Sequence, residues 1–296
     1  MNVDIRWTYL THQEIVDKLI EKEIYVSQPT VADLLKLHGF KKRKMSQCKT
    51  IKDVENRDEQ FINIDRLRNS YIQAGEPVVS IDSKKKEPLG SLYRDGEVYS
   101  VTAPEVYDHS FASLQTGLVV PHGIYDVNNN KAYVNIGLSR DTAEFFYDSM
   151  VIWWKNYGKS EYPDAKKLLI LCDGGGSNGC RHYVFKEAVQ KLADTLGVTV
   201  RIAHYPAYCS KYNPIEHRLF PHVTKALSGV VLDSVQTVKE LIEKRAKTKH
   251  GLKTCVNIVD KIYETGKKAS ELFMKNMPII FDQLLPRWNY KAMPVS

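Results

Sequence analysis

The chain has 296 residues, 43% of them hydrophobic and 26% charged, with a formal net charge of +7. Those proportions exclude a disordered polypeptide and leave room for one large core plus a small accessory domain. No apolar run approaches the ~20 residues of a membrane span. The N-terminus MNVDIRWTYL carries no signal-peptide stretch, and the five cysteines form no C-x-x-C pair, which points to free thiols in the cytoplasm.

Residues 11–23, THQEIVDKLIEKE, predict a helix capped by Thr11, with Glu14 completing a capping box and Ile15, Leu19 and Ile20 on one face. After a short break, SQPTVADLLKLHGF predicts a second helix with Pro29 in its first turn and Gly39 as its stop. Together they read as a helix-turn-helix module over residues 1–50, with Gln28 and Thr30 at the start of the DNA-reading helix. Residues 34–52 hold seven Lys/Arg and no acid, equal to the whole charge excess. Lys41, Lys42, Arg43 and Lys44 follow the second helix directly. Alone, KKRK is a solvated basic turn; in that position it points to a polyanion partner. A charged helix over 53–74 then serves as a linker, within 51–76.

From Glu76 the pattern changes to strands and helices, and residues 77–230 read as one domain. PVVSID (77–82) is a buried strand, and 83–120 has room for one extra short strand. HGIYDVNNNKAYVNIGL (122–138) is a pair of strands around an Asn-rich turn. DTAEFFYDSMVIWWKNYG predicts a helix capped by Asp141, with Glu144 at the capping-box position and its exit at Gly158. LLILCD is a strand, NGCRHYVFKEAVQKLADTLG a helix and VTVRIAHYP a strand. NPIEHRLFPHVTKAL opens a helix with Asn213 as N-cap, Pro214 at N1 and Glu216 at N3. Residues 231–296 are expected to be a mainly helical extension. The order strand, strand, strand, helix, strand, helix, strand, helix is that of the α/β ribonuclease-H-like fold, a mixed sheet with flanking helices.

In that fold the first and fourth strands are parallel neighbours about 4.8 Å apart. Asp82 and Asp173, each at a strand's C-terminal end, would then stand side by side, and the last helix would bring Glu216 to them. Three converging carboxylates need a counter-charge, and oxygen-only ligands suit Mg²⁺ or Mn²⁺. Two such ions can activate an attacking water or 3′-hydroxyl and stabilise the leaving oxygen of a phosphodiester. Singly, each acid has a plainer role: a turn opener, a strand stop, a helix-capping residue. The segment LLILCDGGGSNGCR also fits G-x-G-x-x-G by letter. A dinucleotide site would require an acid at the end of the next strand, and VTVRIAHYP has none.

The segments IDSKKKEPLG (81–90), LLILCDGGGSNG (168–179) and HYPAYCSKYNPIEHRLFPHV (204–223) resemble the signature blocks of the Rhodopirellula-type DDE transposases of bacterial insertion sequences. N-P-I-E-H is also similar to the more distant mariner-like transposases. The resemblance runs from Arg6-Trp7-Thr8 to the terminal RWNY, while the block around YDHSF (107–111) matches loosely. It implies a DDE triad at Asp82, Asp173 and Glu216, and metal-dependent nicking at transposon ends with joining of the 3′-hydroxyl to target DNA. It also implies a homo-oligomer on DNA, associated with the nucleoid. Lys84, Lys85 and Lys86 become a phosphate-holding loop. Asn178, Lys211, Asn213, His217 and Arg218 become DNA-contact residues or supports of the carboxylates. Relatives of this type carry a longer N-terminal region, so a shortened reading frame with an intact site and impaired end recognition is expected. The other readings are a nuclease of the same fold without strand transfer, and a non-catalytic DNA-binding remnant.

Overall fold

A computed structural model describes residues 7–43, 54–249 and 251–295. Two compact units divide the chain, Met1–Lys52 and Asp53–Ser296. In the first, α1 (His12–Ile20) starts at the expected capping box. The Thr11 side chain accepts from the Glu14 N–H, and Glu14 accepts from the Thr11 N–H at 2.6 Å. Ser27 caps α2 (Gln28–Leu37), and Val16 and Val31 are the buried residues of the pair. Lys41, Lys42 and Arg43 follow as exposed coil; Lys44 lies outside the described residues.

The second unit is built on one sheet. Its elements are α3 (Arg57–Gln73), β1 (Val78–Ser83), β2 (Glu87–Leu89), β3 (Gly117–Asp126), β4 (Lys131–Gly137), α4 (Ala143–Trp153), a π-turn (Trp154–Gly158) leading into α5 (Lys159–Glu161), β5 (Lys167–Cys172), α6 (Tyr183–Leu196), β6 (Thr199–His204), α7 (Pro214–Arg218), α8 (Phe220–Leu227), α9 (Val235–Arg245), β7 (Lys253–Val259), α10 (Glu271–Asn276), β8 (Ile280–Phe281) and β9 (Asn289–Ala292). Among the described residues the strand order is β7-β4-β3-β1-β5-β6-β9-β8, with β2 beside β3. Strand β3 runs antiparallel to both β1 and β4, while β1, β5 and β6 are parallel. The five strands β4-β3-β1-β5-β6 are the ribonuclease-H-like core that the element order predicts.

Side-chain alternation sorts the core into two layers. Val79, Ile81, Ile170 and Cys172 pack with Phe146, Met150 and Trp153 of α4 and Phe185, Val189 and Leu192 of α6. On the opposite face, Val78, Leu169 and Leu171 pack under Ile64, Leu67 and Tyr71 of α3. Beside them α7, α8 and α9 cover β3, β4 and β7. Among the described residues no helix is long and apolar enough to cross a membrane.

Several expectations are corrected. The helix over 53–74 is no free linker: α3 buries Ile64, Leu67 and Tyr71 on the sheet. Thr142, not Asp141, caps α4, accepting from the Phe145 N–H at 3.2 Å. Gly158 does not end that helix. It stays in right-handed geometry, and a Cβ there would lie 2.7 Å from the Trp154 ring, so close packing selects the glycine. The helix over NPIEHRLFPHVTKAL breaks at Leu219 into α7 and α8. The C-terminal region is not mainly helical: β7 extends the sheet beside β4, and β9 extends it beside β6.

Candidate active site

The β1–β5 register pairs Ser80 with Leu171. Two residues further along it, Asp82 comes alongside Asp173, just past the end of β5. Alternation puts Asp82 on the face of Val78 and Ser80, and Asp173 on the face of Leu169 and Leu171. This is the face covered by α3 and α7. The third acid, Glu216, sits on α7.

What holds α7 there is a polar clamp inside the sheet face. Ser80 and Asn213 are fully buried. The Ser80 hydroxyl donates to Asn213 Oδ1 at 2.5 Å and accepts from the Ile215 N–H at 3.0 Å. Asn213 Nδ2 donates to the Ile81 carbonyl at 3.1 Å. Asn213 therefore occupies the N-cap position without capping through its side chain, which is turned into the sheet instead. Gly123, the register partner of Asp82, makes the approach possible. A Cβ on it would lie 2.7 Å from Ile215 and 2.8 Å from Phe220.

The electrostatics match three acids sharing a small space. Burial, then the neighbouring Asp173 charge, raises the Asp82 pKa to about 8; the Ser83 N–H bond opposes this at 2.7 Å, and Glu216 adds to the rise. Burial and the Glu216 charge raise Asp173 to about 6, against the nearby Asn213 amide. No Lys or Arg figures among the main influences on either aspartate. Asp173 Oδ1 is buried without a hydrogen-bond partner. An unsatisfied carboxylate oxygen among three acids fits a divalent cation of the Mg²⁺ or Mn²⁺ type. Among the described residues, however, no three acidic, His or Cys side chains already form a closed cation cage. The charges converge, and the final ligand geometry is not preformed.

The other predicted residues separate into three groups. Asn178 and Asn213 are buried, which excludes direct DNA contact at Asn213 and makes it a support of Glu216. Lys84 is engaged, 2.5 Å from Glu87, which also binds Arg94 at 2.6 Å; Lys85 and Lys86 are exposed. Lys211, His217 and Arg218 are exposed on and before α7, while Gln28 and Thr30 are exposed on α2. Residues the sequence reading passed over also matter. Besides Ser80, His204 donates from Nδ1 to the Asp173 carbonyl at 2.9 Å and takes the Tyr290 hydroxyl at Nε2, 3.1 Å away. Burial lowers the His204 pKa to about 4, keeping it neutral for that arrangement. The only sequence signal for Ser80 was its place two residues before Asp82, on the same strand face.

Residues 1–294 match the family described as the Rhodopirellula transposase DDE domain. The chain belongs to this family. Membership implies dependence of the DDE domain on a divalent cation, in keeping with the donor set of Asp82, Asp173 and Glu216. A comparison with curated proteins finds no match. Among solved structures, the DDE domain is similar to the Mos1 Strand Transfer Complex, at 16% identity over 79% of this chain and 65% of that one, with a TM-score of 0.47. It is similar also to the Mos1 mariner paired end complex with Mn, at 15% identity over 82% and 72%, with a TM-score of 0.46. A pre-cleavage Mos1 transpososome gives 13% identity over 79% and 66%, with a TM-score of 0.47. The chain thus spans about two thirds of the length of the first of these, 65%.

Proposed function

We propose that this chain is a transposase that cuts DNA at transposon ends and joins the freed 3′-hydroxyl to target DNA. The observation that carries this reading is the convergence of Asp82, Asp173 and Glu216 from β1, the end of β5 and α7. Asp82, Asp173 and Glu216 would hold the cations, two per site. Bound there, the ions would activate the attacking oxygen and stabilise the leaving one. The chain's own part is positional: Ser80 and Asn213 fix α7, His204 fixes the Asp173 backbone, and Lys85 and Lys86 hold backbone phosphate beside the first aspartate. Gln28 and Thr30 read DNA from α2, the basic segment from Lys41 to Lys44 grips its backbone, and the protein works as a homo-oligomer on DNA.

The test uses DNA carrying the sequences that flank the reading frame, first for Mg²⁺-dependent cleavage and then for joining of a supplied 3′-hydroxyl end. Asp173→Asn should retain DNA binding and lose cleavage by at least ~10³-fold, equivalent to ~4 kcal/mol of transition-state stabilisation. Unchanged cleavage in that variant overturns the triad. Cleavage without joining by the unaltered protein makes it a nuclease of this fold instead.

A further inference from the structure

The loop that follows Asp173 has little of its own to hold it in place. Residues 174–179 read GGGSNG, four glycines in six positions, and a chain so rich in glycine has much conformational freedom to lose. A Cβ at Gly175 or Gly176 would meet nothing within 4 Å. One oxygen of the Asp173 carboxylate has no hydrogen-bond partner. Where that carboxylate stands is therefore set largely through the backbone at the two ends of this loop.

Both ends are held. At the start, His204 donates from Nδ1 to the Asp173 carbonyl at 2.9 Å. At the end, Lys186 Nζ donates to the Cys180 carbonyl at 2.5 Å. Lys186 is 5% exposed and lies near the start of α6, where burial and the positive end of the helix both disfavour an ammonium. A hydrophobic side chain would fill that place at lower cost, so the position selects a donor for the loop carbonyl.

The two holders meet at Tyr290. Its hydroxyl donates to His204 Nε2 at 3.1 Å, and its ring centre lies 5.2 Å from Lys186 Nζ. A carbonyl can only accept, so Nδ1 of His204 carries the proton and Nε2 needs a donor. The Tyr290 hydroxyl is that donor, which a phenylalanine could not supply. Tyr290 is fully buried, paired with Ile202 of β6 and Phe281 of β8. Its neighbours in the terminal segment RWNY (287–290) fix it further. The Trp288 carbonyl takes the His204 N–H at 2.9 Å, and Asn289 accepts from Asn63 of α3 at 2.8 Å. Tyr290 packs in the layer of α4 and α6, on the other side of the sheet from the carboxylates.

We propose that Tyr290 is a positioning residue for Asp173: through His204 and Lys186 it ties both ends of the glycine loop to β9 and so sets the carboxylate's place beside Asp82. The proposal rests on the transposase reading above and gives the C-terminal strand a part in the reaction.

The test uses the full-length protein carrying Tyr290→Phe, which keeps the ring and its packing and removes only the hydroxyl. On DNA with the flanking sequences and saturating Mg²⁺, single-turnover cleavage should fall about tenfold with DNA affinity unchanged. In the metal-free protein, amide hydrogen exchange of residues 174–181 should quicken about tenfold relative to that of α4. Lys186→Met, which releases the other end, should give the same two effects. A loop freed at either end no longer places the carboxylate, so the double variant should stay near a tenfold loss rather than reach a hundredfold. Four results overturn the proposal: undiminished cleavage in Tyr290→Phe, a loss confined to DNA affinity, loop exchange that only follows α4, or single effects that multiply in the double variant. The two readings fail separately. Faster loop exchange in Tyr290→Phe, in a protein whose unaltered form never cleaves DNA, sinks only the transposase reading. Cleavage and loop exchange both indifferent to Tyr290→Phe sink only the role of Tyr290.

Discussion

Strands β1 and β3 carry acids towards both ends of their pairing, Asp126 buried and Asp82 partly buried. At one end Asp126 of β3 lies opposite Val79, and at the other Asp82 of β1 lies opposite Gly123. The two levels are three residues apart, about 10 Å along the sheet. Asp126 is 1% exposed and saturated with donors. It accepts the Asn128 and Asn129 N–H groups at 3.0 and 3.1 Å, the Asn129 amide at 3.1 Å and the Tyr162 hydroxyl at 2.9 Å. Burial still raises its pKa, and every one of those donors opposes the rise. At the other end Asp82 has the Ser83 N–H, and one oxygen of Asp173 has nothing. A buried carboxylate ringed by donors holds the β3–β4 turn and Tyr162 together. A group of carboxylates left short of donors has the oxygen chemistry that suits a divalent cation.

The comparison breaks most visibly at Asp126. Asp126→Ala removes the acceptor of four donors, the Tyr162 hydroxyl buried and those of Asn128 and Asn129 partly open, and should destabilise the protein by about 2 kcal/mol. Metal-dependent cleavage per folded molecule should be unchanged, because the carboxylate lies at the far end of the strands. Denaturant unfolding together with active-site titration checks both halves. A stability loss below 1 kcal/mol would mean that the donors find water instead.

At the other end the sign reverses. The folded-state pKa of Asp82, about 8, lies above the reference value of 3.8. Its contribution to stability is therefore fully present below pH 3.8 and is lost as pH rises through about 8. Asp82→Asn removes that loss. At pH 8 without metal the variant should be more stable than the unaltered protein by about 2 kcal/mol, less than the whole shift because Asp82 keeps some contact with solvent. Near pH 4 the two should melt together. Mg²⁺ should raise the melting temperature of the unaltered protein and leave the variant nearly unmoved. A variant that is less stable at pH 8 would show that Asp82 serves the fold as Asp126 does.

Much of this contrast is legible in the sequence. Asp82 and Asp173 declared themselves as polar ends of apolar strands, and the strand order alone made those strands neighbours. Glu216 was legible through N-P-I-E-H. The role of Asn213 was not, because Asn before Pro at a helix start reads as an N-cap, and only the three-dimensional closeness of Ser80 diverts its side chain. The C-terminal strands were hidden for a related reason. Lys253–Asn257 alternates open and buried positions but needs the edge of β4, more than a hundred residues earlier, before pairing gives the pattern meaning. Lys186, His204 and Tyr290 likewise come from three separate elements, α6, β6 and β9, and no local spacing announces that they meet behind one loop. Local signals fixed what each segment is; long-range contacts decided which side chains meet.

The smallest effect tests the residue between the two ends. Ser80 lies on β1 after Val79 and before Asp82, and it has neither the carboxylate's charge nor its need for many donors. Its hydroxyl does two things at once: it accepts the Ile215 N–H and donates to Asn213. Ser80→Ala leaves that N–H and one side of the Asn213 amide unsatisfied in a fully buried setting, which should lower stability by about 1 kcal/mol. The chemical consequence should be larger than the thermodynamic one. Glu216 is carried by a five-residue helix whose N-terminus is held by this clamp, and a shift of α7 moves it relative to both aspartates. Cleavage should fall about tenfold at saturating DNA, the signature of a mispositioned group, with affinity for DNA unchanged. Ser80→Thr, which keeps the hydroxyl, should recover most of the rate if the added methyl is accommodated. If Ser80→Ala lowers stability but leaves the rate intact, α7 is anchored through Asn213 and the Ile81 carbonyl alone, and the serine belongs with Asp126 as a residue of the fold rather than of the site.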